Sequence, residues 1–213
     1  MGNGEPRETE VKFRLAERAT FEMKLLALGA RCEGRERERN VLFDDLAGTL
    51  RKRGNALRLR TTEKGAVLTY KGKANFLRGV KTRLELESGV GAPDRIAALL
   101  VELGYAPRFT YDKRRTTWRF PDPERPVVVV DETPLGLFAE LEGDDRAVRE
   151  LAEELSVPES AFIPDSYVSL WMKAREGDPT LPPDMIFREG EGGAGGTSPP
   201  TSSVSRRRTP SSG

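Results

Sequence analysis

The residues in this sequence that could do chemistry are charged side chains that recur at every second position. Near the start, Glu8, Glu10 and Lys12 occupy every second position, and the apolar Val11 and Phe13 are among the residues at the positions between and after them. The side chains of a β-strand point alternately to its two faces. If ETEVKF is a strand, one of its faces therefore carries only charge, and the other is mostly apolar.

The same alternation recurs along the chain, so that at least five segments place charges opposite an apolar row. The later segments are ALRLR with Arg58 and Arg60, LTYK ending in Lys71, KTRLELE with Lys81, Arg83, Glu85 and Glu87, DKRRTTW with Lys113 and Arg115, and FAELEG with Glu140 and Glu142. Carboxylates hold hard divalent cations such as magnesium or manganese. Lysine and arginine bind phosphate oxygens, arginine in a bidentate manner. A surface that carries both signs therefore predicts a site for a polyanion and its metal ions.

The composition excludes several kinds of catalytic site. The 213 residues include no histidine, which excludes histidine bases, histidine metal ligands and Ser-His arrangements. The single cysteine, Cys32, allows neither an internal disulfide nor a multi-cysteine zinc site, so we expect a reducing compartment and a cytoplasmic protein. We find no signal-peptide core and no segment long enough to span a bilayer. The 35 basic and 34 acidic residues nearly balance, which does not favour nucleic-acid binding.

Hydrophobic periodicity predicts the elements that position these charges. The predicted strands are Glu8–Leu15, Arg37–Asp44, Asn55–Thr62, Ala66–Lys71, Val80–Glu87, Phe109–Phe120, Val127–Asp131 and Leu137–Glu142, with a hairpin turn at Thr62–Gly65. The predicted helices are Ala19–Leu28, Pro93–Leu103, Asp145–Leu155 and Ser166–Met172. This pattern is typical of an α+β chain with a largely antiparallel sheet. We predict one folded domain over residues 1–176 and a Gly/Pro/Ser-rich tail over 177–213, disordered from about Gly190.

Two arrangements of the sheet satisfy the alternation. The apolar rows must be buried beneath the amphipathic helices, so the charged rows lie on the far side of the sheet. An open sheet would expose those rows to water, as many antiparallel sheets do. A closed barrel would enclose them. The clustering of arginine on some strands and of glutamate on others, without the usual Thr, Ser and Gln of a wet face, favours the barrel.

The ordered series of motifs resembles the CYTH domain, a family named for class IV adenylate cyclases and thiamine triphosphatases within the triphosphate tunnel metalloenzymes. The resemblance extends from about Arg7 to Lys173 and is carried by Glu-x-Glu-x-Lys at Glu8–Lys12 followed by LFDD, ALRLR, TYKG, VKTRLELE, DKRRTTW, VVVVDETP, FAELEG and SYVSL. It implies an eight-stranded antiparallel barrel with external helices. It also implies metal binding by Glu8, Glu10, Glu85, Glu87, Glu140 and Glu142, phosphate binding by Lys12, Arg58, Arg60, Lys71, Lys113 and Arg115, and catalytic roles for Lys12 and Asp131.

Three functions are consistent with this resemblance. The first is a phosphohydrolase that acts on a nucleoside triphosphate or inorganic triphosphate with Mg²⁺ or Mn²⁺, where metal binding would make a histidine base unnecessary. The second is an adenylate cyclase that converts ATP to cyclic AMP and pyrophosphate. The third is a non-catalytic module that binds polyphosphate or nucleotides. The oligomeric state stays open, with a homodimer as one alternative.

Overall fold

The strands of the protein form a closed antiparallel barrel. The structure, a computed structural model, describes residues 7–188. Eight strands follow one another around the barrel in the order β1-β9-β8-β7-β2-β3-β4-β6, and β6 pairs with β1 to close it. A ninth strand, β5, pairs with β6 outside the barrel. The strands are β1 (Arg7–Arg14), β2 (Arg31–Asp44), β3 (Ala56–Thr62), β4 (Gly65–Lys71), β5 (Asn75–Leu77), β6 (Val80–Val90), β7 (Ala106–Arg119), β8 (Val127–Thr133) and β9 (Gly136–Glu142).

Five α-helices lie in the described part of the chain, and three of the longer ones cover the apolar outer face of the barrel. They are α1 (Arg18–Ala27), α2 (Thr49–Lys52), α3 (Pro93–Glu102), α4 (Asp145–Glu154) and α5 (Tyr167–Gly177). One core cluster packs α1 and α4 against β1, β8 and β9. A second packs α3 against β2, β3 and β4. A third packs α5 against Phe109, Tyr111 and Phe138, which lie on the same faces of β7 and β9 as the cavity-lining Lys113 and Glu140. Because the apolar rows are buried under α1, α3 and α4, the charged rows must face the barrel interior.

The ends of the helices follow the local signals in the sequence. Asp144 accepts a hydrogen bond from the backbone of Arg146 and so caps α4, as its residue type favours. Ser166 caps α5 in the same way. Gly104 follows α3 with a φ of 89°, a left-handed conformation that glycine adopts without steric cost. No helix in the stretch from 7 to 188 is long and apolar enough to cross a membrane.

The predicted fold class is confirmed, and all eight predicted strands and four predicted helices are present; all but β2 and α5 lie within three residues of their predicted bounds. The hairpin at Thr62–Gly65 is also present, with Thr62 paired to Gly65. Strand β2 begins six residues earlier than predicted, at Arg31, and pairs with β7 along most of its length. Strand β5 and helix α2 were not predicted because three or four residues give too short a period to detect.

The first part of the predicted tail packs against the barrel. Of the residues of β7, only Arg114–Trp118 pair with β8, so β8 does not cover the edge of β7 before that stretch. Met185 covers this part of the edge. Its backbone N–H donates to the carbonyl of Thr110, its carbonyl accepts from the N–H of Asp112, and its side chain is fully buried. Packing against the barrel thus continues at least to Met185, beyond residue 176. Residues 189–213, where disorder was predicted, lie outside the described residues.

Candidate functional site

The barrel encloses a cavity of about 1680 Å³ that is lined by the charged rows. Every predicted metal-binding glutamate and phosphate-binding cation lines it; these residues are Glu8, Glu10, Lys12, Arg58, Arg60, Lys71, Glu85, Glu87, Lys113, Arg115, Glu140 and Glu142. The predicted register of β7 is confirmed, because Lys113 and Arg115 face inward while Asp112 pairs with Arg37 at the outer surface. The open-sheet alternative is therefore wrong for this chain, since the sheet closes through β1 and β6.

Three glutamates form a cluster at the point where β1 changes partners. Glu10 lies opposite Lys81 of β6 and opposite Glu142 of β9, so it belongs to both ladders. One carboxylate oxygen from each of Glu8, Glu10 and Glu142 lies within 4.8 Å of the other two. This acidic cluster is set by barrel closure, because only the β1–β6 and β1–β9 pairings together bring these side chains to one place.

The acidic cluster fits a divalent cation. Its ligand atoms are all carboxylate oxygens, the donors that Mg²⁺ and Mn²⁺ prefer. Glu8 Oε2 is buried and has no hydrogen-bond partner among the described residues. Burial, with the hydrogen bond to Glu85, raises the pKa of Glu8 to about 8. Burial, with the repulsion of Glu140 and Glu10, raises the pKa of Glu142 to about 6. A bound cation would offset this concentration of negative charge and ionise both carboxyls.

The other predicted metal-binding glutamates pair with cations instead. Glu85 lies 2.6 Å from both Lys71 Nζ and Arg83 Nε. Glu87 accepts a hydrogen bond from Thr69 at 2.8 Å and lies 3.4 Å from Arg58 Nη2. Burial acts to raise the pKa of Glu85, but its contacts with Glu8, Lys71 and Arg83 hold that pKa well below its usual range. Glu85 and Glu87 therefore lie along the basic wall of the cavity rather than in the acidic cluster.

Glu140 lies between two of the predicted phosphate-binding cations. Its carboxylate is 3.1 Å from Lys12 Nζ and 2.5 Å from Arg115 Nη2. Burial opposes ionisation, yet Lys12 and Arg115 hold its pKa well below the ordinary value. Glu10 behaves similarly: burial and Glu140 act to raise its pKa, and Lys81, 2.6 Å away, and Lys12 lower it overall. These two glutamates are ionised and link the acidic cluster to the cations.

The cations are buried but keep their charge through these pairs. Arg58 is 7% exposed and donates to Thr69 and Glu87. Lys113, 3% exposed, lies 3.3 Å from Glu38 and 3.1 Å from Asp131. Burial, with the nearby Arg58 and Arg83, lowers the pKa of Lys71 to about 8. The arginines and lysines thus form a wall of positive charge whose present partners are carboxylates.

Asp131 lies behind this wall and does not line the cavity. It is fully buried and accepts hydrogen bonds from Arg115 Nε at 2.8 Å, Arg115 Nη2 at 2.7 Å and Lys113 Nζ at 3.1 Å. The resemblance implied a catalytic role for Asp131. Its position suits it to hold Lys113 and Arg115 in place from behind.

Sequence reasoning missed Glu38, which is 1% exposed and lies within 4 Å of Lys113, Arg60 and Arg115. Those cations outweigh the effect of burial and lower its pKa to about 2. It lies in GRERERN, where both faces of the strand carry charge, so no apolar row distinguishes inside from outside. Tyr167 was missed as well, because it lies on a helix and carries no charge.

Comparisons with known proteins agree with this architecture. The CYTH domain family model matches residues 6–167, which is more than half of the chain. A Methanocaldococcus jannaschii protein named "Putative adenylate cyclase" is 25% identical over 173 residues, covering 76% of this chain and 97% of that protein.

Two solved structures illustrate the shared fold. One is an X-ray structure of a "putative adenylate cyclase" from Vibrio parahaemolyticus, with a TM-score of 0.68, 18% identity, and coverage of 79% of this chain and 99% of that one. The other, from Hippeastrum, is described as a "putative adenylyl cyclase" that "reveals a dominant" triphosphatase activity. Its TM-score is 0.61 at 18% identity, over 78% of this chain and 96% of that one.

Proposed function

The chain belongs to the CYTH domain family, and on that premise we propose that it is a divalent-metal-dependent phosphohydrolase that acts on triphosphates. The observation that carries the proposal is the contrast between two parts of one enclosed cavity. The acidic cluster of Glu8, Glu10 and Glu142 lies beside a wall of lysines and arginines. A chain of phosphates with its counter-cation has the same two needs, positive charge along its oxygens and oxygen ligands for the metal.

The basic wall would bind the phosphates. Arg58, Arg60 and Lys71 line one part of the cavity, and Lys12, Lys113 and Arg115 line another. Arginine forks bind phosphate oxygens in pairs, and their low-dielectric surroundings strengthen each hydrogen bond. Glu38, Glu85 and Glu140 hold these cations in position, and the phosphate oxygens would compete for them. A divalent cation on the acidic cluster would supply Lewis-acid charge to the phosphate oxygens.

We favour hydrolysis over cyclisation as the reaction. The cavity supplies charge along a phosphate chain, which serves either reaction, whereas cyclisation also requires a pocket that orients a ribose hydroxyl on the α-phosphorus. The triphosphatase activity of the Hippeastrum protein supports the first choice. Adenylate cyclase remains the second candidate, because the Methanocaldococcus jannaschii and Vibrio parahaemolyticus proteins carry that name.

The deciding experiment is product analysis over a triphosphate panel. Inorganic tripolyphosphate, ATP and GTP are each incubated with the protein and Mg²⁺ or Mn²⁺, and the products are separated by anion exchange. We expect orthophosphate with pyrophosphate or a nucleoside diphosphate. Cyclic AMP with pyrophosphate from ATP would establish the second candidate instead. Tight binding with no turnover under any condition would identify a non-catalytic binding module.

Matched variants connect the products to the cavity. Glu10→Gln removes a carboxylate of the acidic cluster and should abolish turnover while the protein remains folded. Glu153→Gln makes the same chemical change on the exposed surface of α4 and should leave turnover unchanged. Equal activity in the two variants would place the reaction outside the barrel or assign it to a contaminant.

A further inference from the structure

Tyr167 contacts three of the predicted site residues although it belongs to a helix rather than to the barrel. Its hydroxyl donates to Asp131 Oδ2 at 3.0 Å. Its ring centroid lies 4.1 Å from Lys12 Nζ and 5.7 Å from Lys113 Nζ. The residue is buried, and it lines the cavity. One side chain therefore joins residues of β1, β7 and β8 at the basic wall.

The hydroxyl and the ring have separate effects. Asp131 Oδ2 also accepts from Lys113 and from Arg115 Nη2, so Tyr167 provides a third donor to the same oxygen. Without that donor, the carboxylate would draw more strongly on the two cations and hold them away from the cavity. The face of the ring attracts the ammonium group of Lys12, an interaction that desolvation strengthens.

Contacts with β9 and along its own helix fix the position of Tyr167. Its ring packs edge-on against Phe138 at 5.3 Å, and Ser166 caps the helix just before it. Further along α5, Trp171 Nε1 donates to the carbonyl of Pro182 at 3.1 Å. The segment from 178 to 188 thereby ties α5 to the edge of β7. The family match ends at residue 167, so the bond between Trp171 and Pro182 comes from residues beyond it.

We propose that Tyr167 is a positioning residue that sets Lys12, Lys113 and Arg115 for binding of the triphosphate. The inference rests on the proposed function of the cavity and adds the helix α5 to its machinery. Tyr167 acts through Asp131 and through the face of its ring, and it transfers no proton.

The test is calorimetric titration of inorganic tripolyphosphate into the wild type and Tyr167→Phe. The phenylalanine keeps the ring beside Lys12 and removes only the donor to Asp131. We expect the dissociation constant to rise about fivefold to tenfold, the scale of one ordinary hydrogen bond. Tyr105→Phe makes the same change in the apolar cluster under α3, outside the cavity, and should bind as the wild type does. Replacement of Tyr167 by 4-aminophenylalanine restores a ring-borne donor and should restore most of the affinity.

A purely structural role gives a different result. Trp171→Phe removes the bond to Pro182 on the same helix, at a residue that does not line the cavity, so it provides a comparison for a structural change in α5. Equal weakening of tripolyphosphate binding in Trp171→Phe and Tyr167→Phe would overturn the inference, and so would affinity in Tyr167→Phe within twofold of wild type. If the wild type does not bind tripolyphosphate with or without Mg²⁺, the proposed function fails instead.

Discussion

Glu38 offers the sharpest test of the charge arrangement, because it is a buried anion among three cations. Lys113 Nζ lies 3.3 Å from its carboxylate, Arg60 Nη1 3.6 Å and Arg115 Nε 3.9 Å. These contacts outweigh burial and lower its pKa from 4.5 to about 2. At about 1.4 kcal/mol per pH unit, the ionised carboxylate is worth about 3 kcal/mol of unfolding free energy. Glu38→Gln should lose about that amount at neutral pH.

The pH dependence has a definite sign. Since the pKa of Glu38 is lower in the folded protein than in the unfolded chain, its stabilisation is complete above about pH 4.5 and is lost as the pH falls toward 2. The difference between wild type and Glu38→Gln should therefore be largest at pH 7 and shrink below pH 4.5. Urea unfolding, followed by tryptophan fluorescence in the presence of a chelator, measures this difference.

A neighbour on the same strand provides the control. Glu36 also lines the cavity, but its carboxylate pairs only at 3.7 Å with Lys64, whose side chain is 74% exposed. Glu36→Gln should change the unfolding free energy by about 0.5 kcal/mol or less. Tripolyphosphate should stabilise Glu38→Gln more than wild type, because the freed cations take phosphate as their partner. Equal costs for the two variants, or a cost for Glu38→Gln that does not change with pH, would refute the reasoning.

Three further predictions concern the cavity and its support. Arg60→Ala should weaken tripolyphosphate binding by about 1.5–3 kcal/mol in calorimetry. Arg53→Ala, at an exposed position after α2, should leave binding unchanged. Equal effects of the two substitutions would contradict phosphate binding by the arginines of β3. Truncation after Arg188 should leave turnover and the melting temperature unchanged. Truncation after Gly177 should lower both, because it removes the pairing of Met185 with the edge of β7. Identical behaviour of the two truncated proteins would show that this segment is dispensable. The metal-free protein should lose stability from pH 5 to 8, because the unfolded chain releases the proton of Glu8 near pH 4.5 and the folded protein holds it to about pH 8. Glu8→Gln should flatten that slope in thermal melts, and an unchanged slope would argue against the raised pKa.

The barrel could be predicted because its strands alternate cleanly between charge and apolar side chains. A strand such as Ala56–Thr62 has only one register that buries Leu57 and Leu59, so Arg58 and Arg60 must face the other way. The same argument selected Lys113 and Arg115 over Arg114. Alternation assigns the face of a residue, and closure of the sheet then turns that face into an interior.

The grouping of the glutamates could not be predicted from alternation. It depends on which strands meet when the barrel closes, and on the stagger that places Glu10 opposite Lys81 on one side and Glu142 on the other. Glu85 and Glu87 have the same spacing in sequence, but their strand pairs with β4, so they lie opposite Lys71 and Thr69 instead. The segment around Met185 was also missed. It contains several prolines and is held by two backbone–backbone hydrogen bonds, one bond from the Thr110 backbone to the Asp184 side chain, and one buried side chain. None of these features produces a periodic pattern in the sequence.

The charged interior is evidence of function rather than of a need for stability. Removing charges from water costs free energy that a buried ion pair often only offsets, and apolar residues of similar volume can replace such pairs without loss. In this cavity the buried cations instead have carboxylate partners at close range, as for Lys71 with Glu85 and Lys81 with Glu10. Among the carboxylates of the cavity, by contrast, Glu8 has a buried oxygen, Oε2, with no hydrogen-bond partner in the part of the chain that the structure describes. Glu8 belongs to the acidic cluster, so this unsatisfied carboxylate oxygen lies where a divalent cation would complete the arrangement.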